Sequence, residues 1–290
     1  MTRPGSGARF DAFWAIDWSG ARGRTRNIAV ASLDADGGVP TLVAPPDGVA
    51  WTRESVVARL SGEVAAGRRL LAGVDFAVSF RVEVLAALGL RRDGTMADVW
   101  DAVEAACAAS PGLHGGGFVE AAPDGTFWRR GPRPAWWRAP LRLVDERCAT
   151  ATGARPESVM KLVGAKQVGL GALAGMRSLR ALRRESGGAF AAWPAMAIGT
   201  GSVAVEIFPT IHRLEATRSL AKIRDEATLA LALAAFGCGA PRFASTPGDD
   251  ATDALVSVAA LRQIASRAGA FALPADARPA LEGWIFGVPP

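Results

Sequence analysis

The sequence predicts an α/β fold: a mixed sheet made of an antiparallel meander plus parallel strands, flanked by helices and carrying a large helical and loop insertion. Three observations predict it. Residues 10–48 read as short strands separated by turn residues. A capped helix then leads into a nearly continuous apolar run, the signature of a strand covered on both faces. After a less regular middle, a strand and two helices complete an alternating order.

The elements follow in order. "FDAFWAIDWSG" is a strand ending in a Ser-Gly turn, "TRNIAVASLDADGG" a second strand closed by Asp36-Gly37, and "VPTLVAPPDG" a short third. In "TRESVVARLSGEVAAG" Thr52 is the N-cap with Ser55 three positions on, apolar spacing runs through Val56, Val57, Leu60 and Val64, and Gly67 is the stop. "RRLLAGVDFAVSF" is a buried central strand. "DGTMADVWDAVEAACAAS" is helical by spacing, and residues 81–194 as a whole read as an insertion elaborating a single 1–290 domain. "GSVAVEIFPT" is a strand stopped by Pro209, "RDEATLALALAAFG" and "TPGDDATDALVSVAAL" are helices, and "EGWIFGV" is a candidate terminal strand.

Composition narrows the class. Half of the 290 residues are hydrophobic and 21% are charged, which excludes a disordered or collagen-like chain. A formal net charge of +5 and a pI near 9.8 permit an anionic partner such as nucleic acid. The basic charge is almost all Arg, with lysine only at Lys161, Lys166 and Lys222; this suits bidentate phosphate contact but fits equally an Arg-rich coding bias. Cys107, Cys148 and Cys238 are widely spaced without a C-x-x-C, which argues against a disulfide framework or zinc site and fits a reducing compartment. The first twenty residues hold no apolar segment of signal-peptide length, and Ala227–Pro241 is too short for a membrane span of about 20 residues. The expectation is a cytoplasmic protein with no membrane segment.

Four apolar runs carry a carboxylate: Asp17 in "FWAIDWSG", Asp75 in "LLAGVDFAVSF", Glu206 in "VAVEIFP" and Asp253 in "DDATDALVSVAAL". Aspartate is depleted in strands, and an isolated buried carboxylate costs several kcal/mol or takes up a proton. Singly, each has an ordinary explanation: a strand-end turn for Asp17, a buried Arg partner for Asp75, an exposed edge for Glu206, a solvent-facing position for Asp253. Together they call for a shared one. In the last helix Thr246 is the expected N-cap, Pro247 the first helical residue and Asp249 the third position of a capping box. Asp253 lies beyond that turn and shares a face with Asp250. Carboxylates from helix and strand ends would make an oxygen-lined site suited to Mg²⁺ or Mn²⁺.

At these residues the chain resembles a known family. "AIDWSGA", "LLAGVDFAVSF", "KLVGAKQVGLGALAGMRSL", "AAWPAMAIGTGSVAVEIFPT", "DDATDALVSVAAL" and "EGWIFGV" are similar, in order, to the motifs of domain of unknown function 429, regarded as predicted nucleases of RNase H-like fold. The D-x-x-D-A spacing of the last helix also resembles RuvC-type resolvases. The resemblance implies an RNase H-like mixed sheet, with Asp17 as the first-strand acid bridging two metal ions. It makes Asp75 the central-strand acid and Asp250 and Asp253 the acids of the last helix. Glu206 belongs to the family's own Glu-x-[Phe/Tyr]-Pro motif. Many relatives have His where this chain has Asp250. The implied activity is two-metal hydrolysis of phosphodiester bonds in nucleic acid, with Asp17, Asp75, Glu206, Asp250 and Asp253 as catalytic residues.

Other features have two readings each. The glycine-rich Val163–Gly175 with Lys166 either packs tightly or approaches phosphate. The stretch "TFWRRGPRPAWWRAPLR" either stacks on nucleic acid or packs its tryptophans on the core. His212 is a core histidine or a proton carrier, and His114 lies in a Gly-rich loop. Two rival functions stand beside the nuclease. One is an actin-like or sugar-kinase-like ATPase, with "AIGTGS" as a partial phosphate loop; the other is a non-catalytic binding protein that retains the fold.

Overall fold

The computed structural model describes residues 10–22, 27–164, 167–276 and 278–290. The chain opens with β1 (Ala12–Asp17), β2 (Ala29–Asp34) and β3 (Thr41–Leu42). Helix α1 (Arg53–Ala65) starts on the expected cap: Thr52 accepts from the Ser55 N–H and Ser55 answers to the Thr52 N–H. Strand β4 (Leu70–Val74) is buried throughout. There follow α2 (Val82–Leu85), continued by a 3-10 turn, then α3 (Met96–Ala106), α4 (Gly116–Ala121), α5 (Leu143–Thr152) and the long α6 (Gly169–Glu185). Strands β5 (Phe190–Ala192) and β6 (Ser202–Glu206) precede α7 (Pro209–Thr217), α8 (Glu226–Ala235), α9 (Asp249–Ala265) and α10 (Pro279–Glu282).

These strands form one six-stranded mixed sheet in the order β3-β2-β1-β4-β6-β5. β1 and β2 are antiparallel, as are β2 and β3, while β1, β4, β6 and β5 run parallel. The expected α/β class, meander and parallel strands are therefore observed. Alternation along the strands sends side chains to two cores. Trp14, Ile16, Leu70, Ala72, Val74 and Ala204 pack with α1, α3 and α6. Phe13, Ala15, Leu71, Val203 and Val205 pack with α7, α8 and α9.

Several elements differ from expectation. Phe190–Ala192, inside the stretch read as insertion, is a sheet strand; three residues are too few to show a period. Pro209 does more than stop β6, because it is the first residue of α7, where its missing N–H costs nothing. The C-terminal run is no full strand: Ile285 makes a single parallel bridge to Glu206, and Phe286 N–H donates to the Glu206 carbonyl over 2.8 Å. The three cysteines are buried and free. No helix of the described residues is long and apolar enough to cross a membrane.

Candidate acidic active site

Register decides which acids meet. β1 and β4 pair in parallel with Ile16 opposite Val74, and the Asp75 N–H donates to the Ile16 carbonyl over 3.0 Å. Asp17 and Asp75 thus follow one another's neighbours at matching carboxyl ends, on the face that carries Ala15 and Leu71. That is the α9 face. β6 is one step out of phase: Glu206 lies opposite Val74, so it shares the face of Val74 and Ala204. Three strand acids alike in sequence are split two against one.

Helix α9 brings the others. It begins at Asp249 with Gly248 as N-cap and no side-chain cap bond, so the expected Thr246 cap and its box with Asp249 are not formed. Asp249 instead lies 3.6 Å from Arg224. Asp250, in the first turn, is half-buried and lines the same cavity as Asp17 and Asp75, which has a volume of about 670 Å³. Asp253, one turn on, is 2% exposed. Its carboxylate is gripped by Arg213 of α7 on Oδ1 and by Lys222 on Oδ2, the latter at 2.5 Å. Lys222 and Asp250 face the cavity, and Asp253 stands behind them.

The acids strain against one another. Burial pushes the Asp17 carboxyl well above its ordinary range, and the charges of Asp75, Asp253 and Asp250 add to the shift while Lys222 opposes it. Asp75 is pushed up to about 8, first by burial and then by Asp253. Asp250 is raised by burial, against the pull of Lys222. Among the described residues no hydrogen bond or ion pair reaches the carboxylates of Asp17 or Asp75, although Asp17 is only 8% exposed. A buried carboxyl without a donor is the group that an added cation would satisfy. The donors fit a hard divalent cation in kind, being all carboxylate oxygen. In spacing they are held apart: among the described residues no three His, Cys, Asp or Glu side chains converge on a common point.

Glu206 belongs to a different structure. Arg142 grips it with both guanidinium nitrogens, at 2.6 and 2.7 Å, and the Val78 N–H donates to it over 3.2 Å. The same Arg142 binds Asp145 at 2.9 Å and the Glu282 carbonyl at 3.2 Å, while the Glu282 carboxylate receives the N–H groups of Val82 and Leu143. Burial raises the Glu206 carboxyl and Arg142 pulls it back. Four segments distant in sequence are pinned by this network, and Glu206, Arg142 and Asp145 themselves line the cavity that Asp17, Asp75 and Asp250 share. The cue was the arginine at the start of α5, which no spacing rule would link to Glu206.

Other predicted residues find plain places. His212 is buried with Nδ1 3.0 Å from Ser257 Oγ, and burial lowers it to about 3; it packs between α7 and α9 and lines no part of the cavity. His114 accepts from the Gly116 N–H and is likewise lowered by burial. Within the glycine-rich stretch Lys166 lies outside the described residues, while Gly175 seats the Phe76 ring against α6. In the basic-aromatic stretch Trp137 is buried, but Trp136 is 51% exposed beside exposed Arg130, Arg133 and Arg138. A residue missed by sequence reading is Arg53: from α1 it donates to the carbonyls of Ser19, Ala21 and Gly112, holding the turn that follows Asp17.

Comparison of the chain with known protein families, curated proteins and solved structures finds no match.

Proposed function

We propose that the chain is a divalent-metal-dependent nuclease of RNase H-like type that hydrolyses phosphodiester bonds of nucleic acid. The observation that carries this reading is the meeting of buried Asp17 and half-buried Asp75, neither with a donor among the described residues, at adjacent strand ends, with Asp250 of α9 over one cavity. Asp17, Asp75 and Asp250 would hold Mg²⁺ or Mn²⁺, with Asp253 close behind. The bound cation supplies Lewis-acid polarisation of the phosphate and offsets the charge that develops on it.

The chain's own groups do the rest. Trp18 and Phe76, whose ring centroids are 5.0 Å apart, wall the cavity beside the acids. Arg53 fixes the turn after Asp17. The segment with exposed Trp136 offers a stacking surface and phosphate contacts. It adjoins the cavity through Trp128, which bridges to Lys161, itself 3.1 Å from the cavity-lining Glu157.

The test is cleavage of labelled single-stranded DNA, duplex DNA, RNA and a four-way junction with Mg²⁺ and Mn²⁺. The native chain is expected to cut at least one, and Asp17→Asn to lose that activity. Failure on every substrate with either ion would leave the non-catalytic binding role. The ATPase reading has less support: Ala197–Ser202 leads into the first residue of β6, at the sheet end opposite the acids, and the Gly199 and Gly201 carbonyls accept from Arg69.

A further inference from the structure

The cavity already holds cations of the chain's own: Arg142, committed to Glu206 and Asp145, and Lys222, beside the other acids. Lys222 sits in the 218–225 connection between α7 and α8, with its ammonium on Asp253 Oδ2 and its side chain 38% exposed. Asp253 is satisfied without it on the other oxygen, by the buried Arg213. Lys222 therefore adds a second positive charge, placed on the cavity side among Asp17, Asp75 and Asp250. The loop that carries it is anchored next door: Ile223 is 2% exposed, and its carbonyl accepts from Thr252 Oγ1 over 3.4 Å.

The residue type matters. In a chain with 33 Lys and Arg together, lysine stands only at positions 161, 166 and 222. An arginine fork would lock bidentately onto Asp253, as Arg142 does on Glu206. An ammonium on a flexible four-carbon stem binds as a point charge and can swing away. Arg213, inward of Asp253, is 4% exposed in its side chain and has no such freedom.

We infer that Lys222 is a tethered counter-cation that a divalent ion must displace, so that it sets the affinity and occupancy of the acidic site. With no ion bound, its charge steadies the crowded carboxylates and occupies Asp253 Oδ2. When an ion binds, like charges drive Lys222 off Asp253, which frees that oxygen and turns the ammonium out toward solvent. This inference rests on the metal reading above.

Two measurements test it. Mn²⁺ affinity is determined by calorimetry for the native chain, Lys222→Met and Lys222→Arg. In parallel, acetylation of the native chain by an N-hydroxysuccinimidyl ester is read by mass spectrometry with and without Mn²⁺, with Lys161 as internal reference. Lys222→Met is expected to bind Mn²⁺ about tenfold more tightly and Lys222→Arg more weakly, and Mn²⁺ is expected to raise acetylation at Lys222 alone. Equal affinities with unchanged acetylation would overturn the inference and leave the metal reading standing. No Mn²⁺ binding to any of the three at millimolar concentration overturns both. Should Lys222→Met not fold, the acetylation of the native chain decides.

Discussion

The Asp75 N–H donates to the Ile16 carbonyl over 3.0 Å, and this one bond sets Asp75 level with Asp17 at the ends of two parallel strands. Two carboxylates are thereby brought together among further acids, with no donor for either among the described residues. Folding tolerates the arrangement rather than gaining from it.

The pairing has a pH signature. Asp75, raised to about 8 from an ordinary 3.8, binds its proton more tightly folded than unfolded. Stability from this group is full below the ordinary value and falls as pH rises toward 8. Asp75→Asn is expected to be more stable than the native chain at pH 8 by about 1–2 kcal/mol, or roughly 2–8 °C in Tm, with the gap closing toward pH 4. Thermal melts of both proteins across that range check it. Mn²⁺ is expected to raise the native Tm at pH 8 and to do little for the variant.

His212 works in the opposite direction. Its value of about 3 against an ordinary 6.5 means that the unfolded chain takes up the proton first. Stability is full above 6.5 and is lost as pH falls toward 3. His212→Asn is expected to flatten the acid limb of the melting curve by up to about 1.4 kcal/mol per pH unit, while leaving Mn²⁺ affinity unchanged.

Glu206 is a test of place against role. Arg142→Met leaves Glu206 and Asp145 buried without their cation, at a cost of about 3–5 kcal/mol. Glu206→Gln keeps the shape and loses less, about 1–3 kcal/mol. Denaturant unfolding measures both. If Glu206 acts through the network rather than on an ion, Glu206→Gln keeps native Mn²⁺ affinity; a loss of affinity without a loss of stability would place it among the ligands.

Gly175 offers a steric test. A Cβ there would run into the Phe76 ring, adjacent to Asp75. Gly175→Ala is expected to cost about 1–3 kcal/mol and to weaken Mn²⁺ binding through displacement of Phe76, both readable by melting and calorimetry.

Much of this site could be read from the residues. Asp17, Asp75 and Asp253 stood out because each interrupts an apolar run, and all three sit where burial makes charge costly. The Thr52 cap was readable because its partner is three residues away. What escaped was non-local. The face of Glu206 depends on a register with Val74, which lies in another strand. The partners of Asp253, Arg213 and Lys222, come from a helix and a connection whose sequences carry no mark of that contact. The start of α9 moved from Thr246 to Gly248 because the cap geometry is decided by how the preceding loop enters, not by the residue type alone.

The sheet's two margins are also its shortest members, β3 with two residues and β5 with three. So brief an edge exposes few open N–H and C=O groups to a passing strand. A stray extended segment, whether from a neighbouring copy or from a partly unfolded chain, finds almost no ladder to extend on either side. Truncation of both rims thus limits templated aggregation, and prolines close to each edge strand, Pro40 before β3 and Pro194 after β5, add to it.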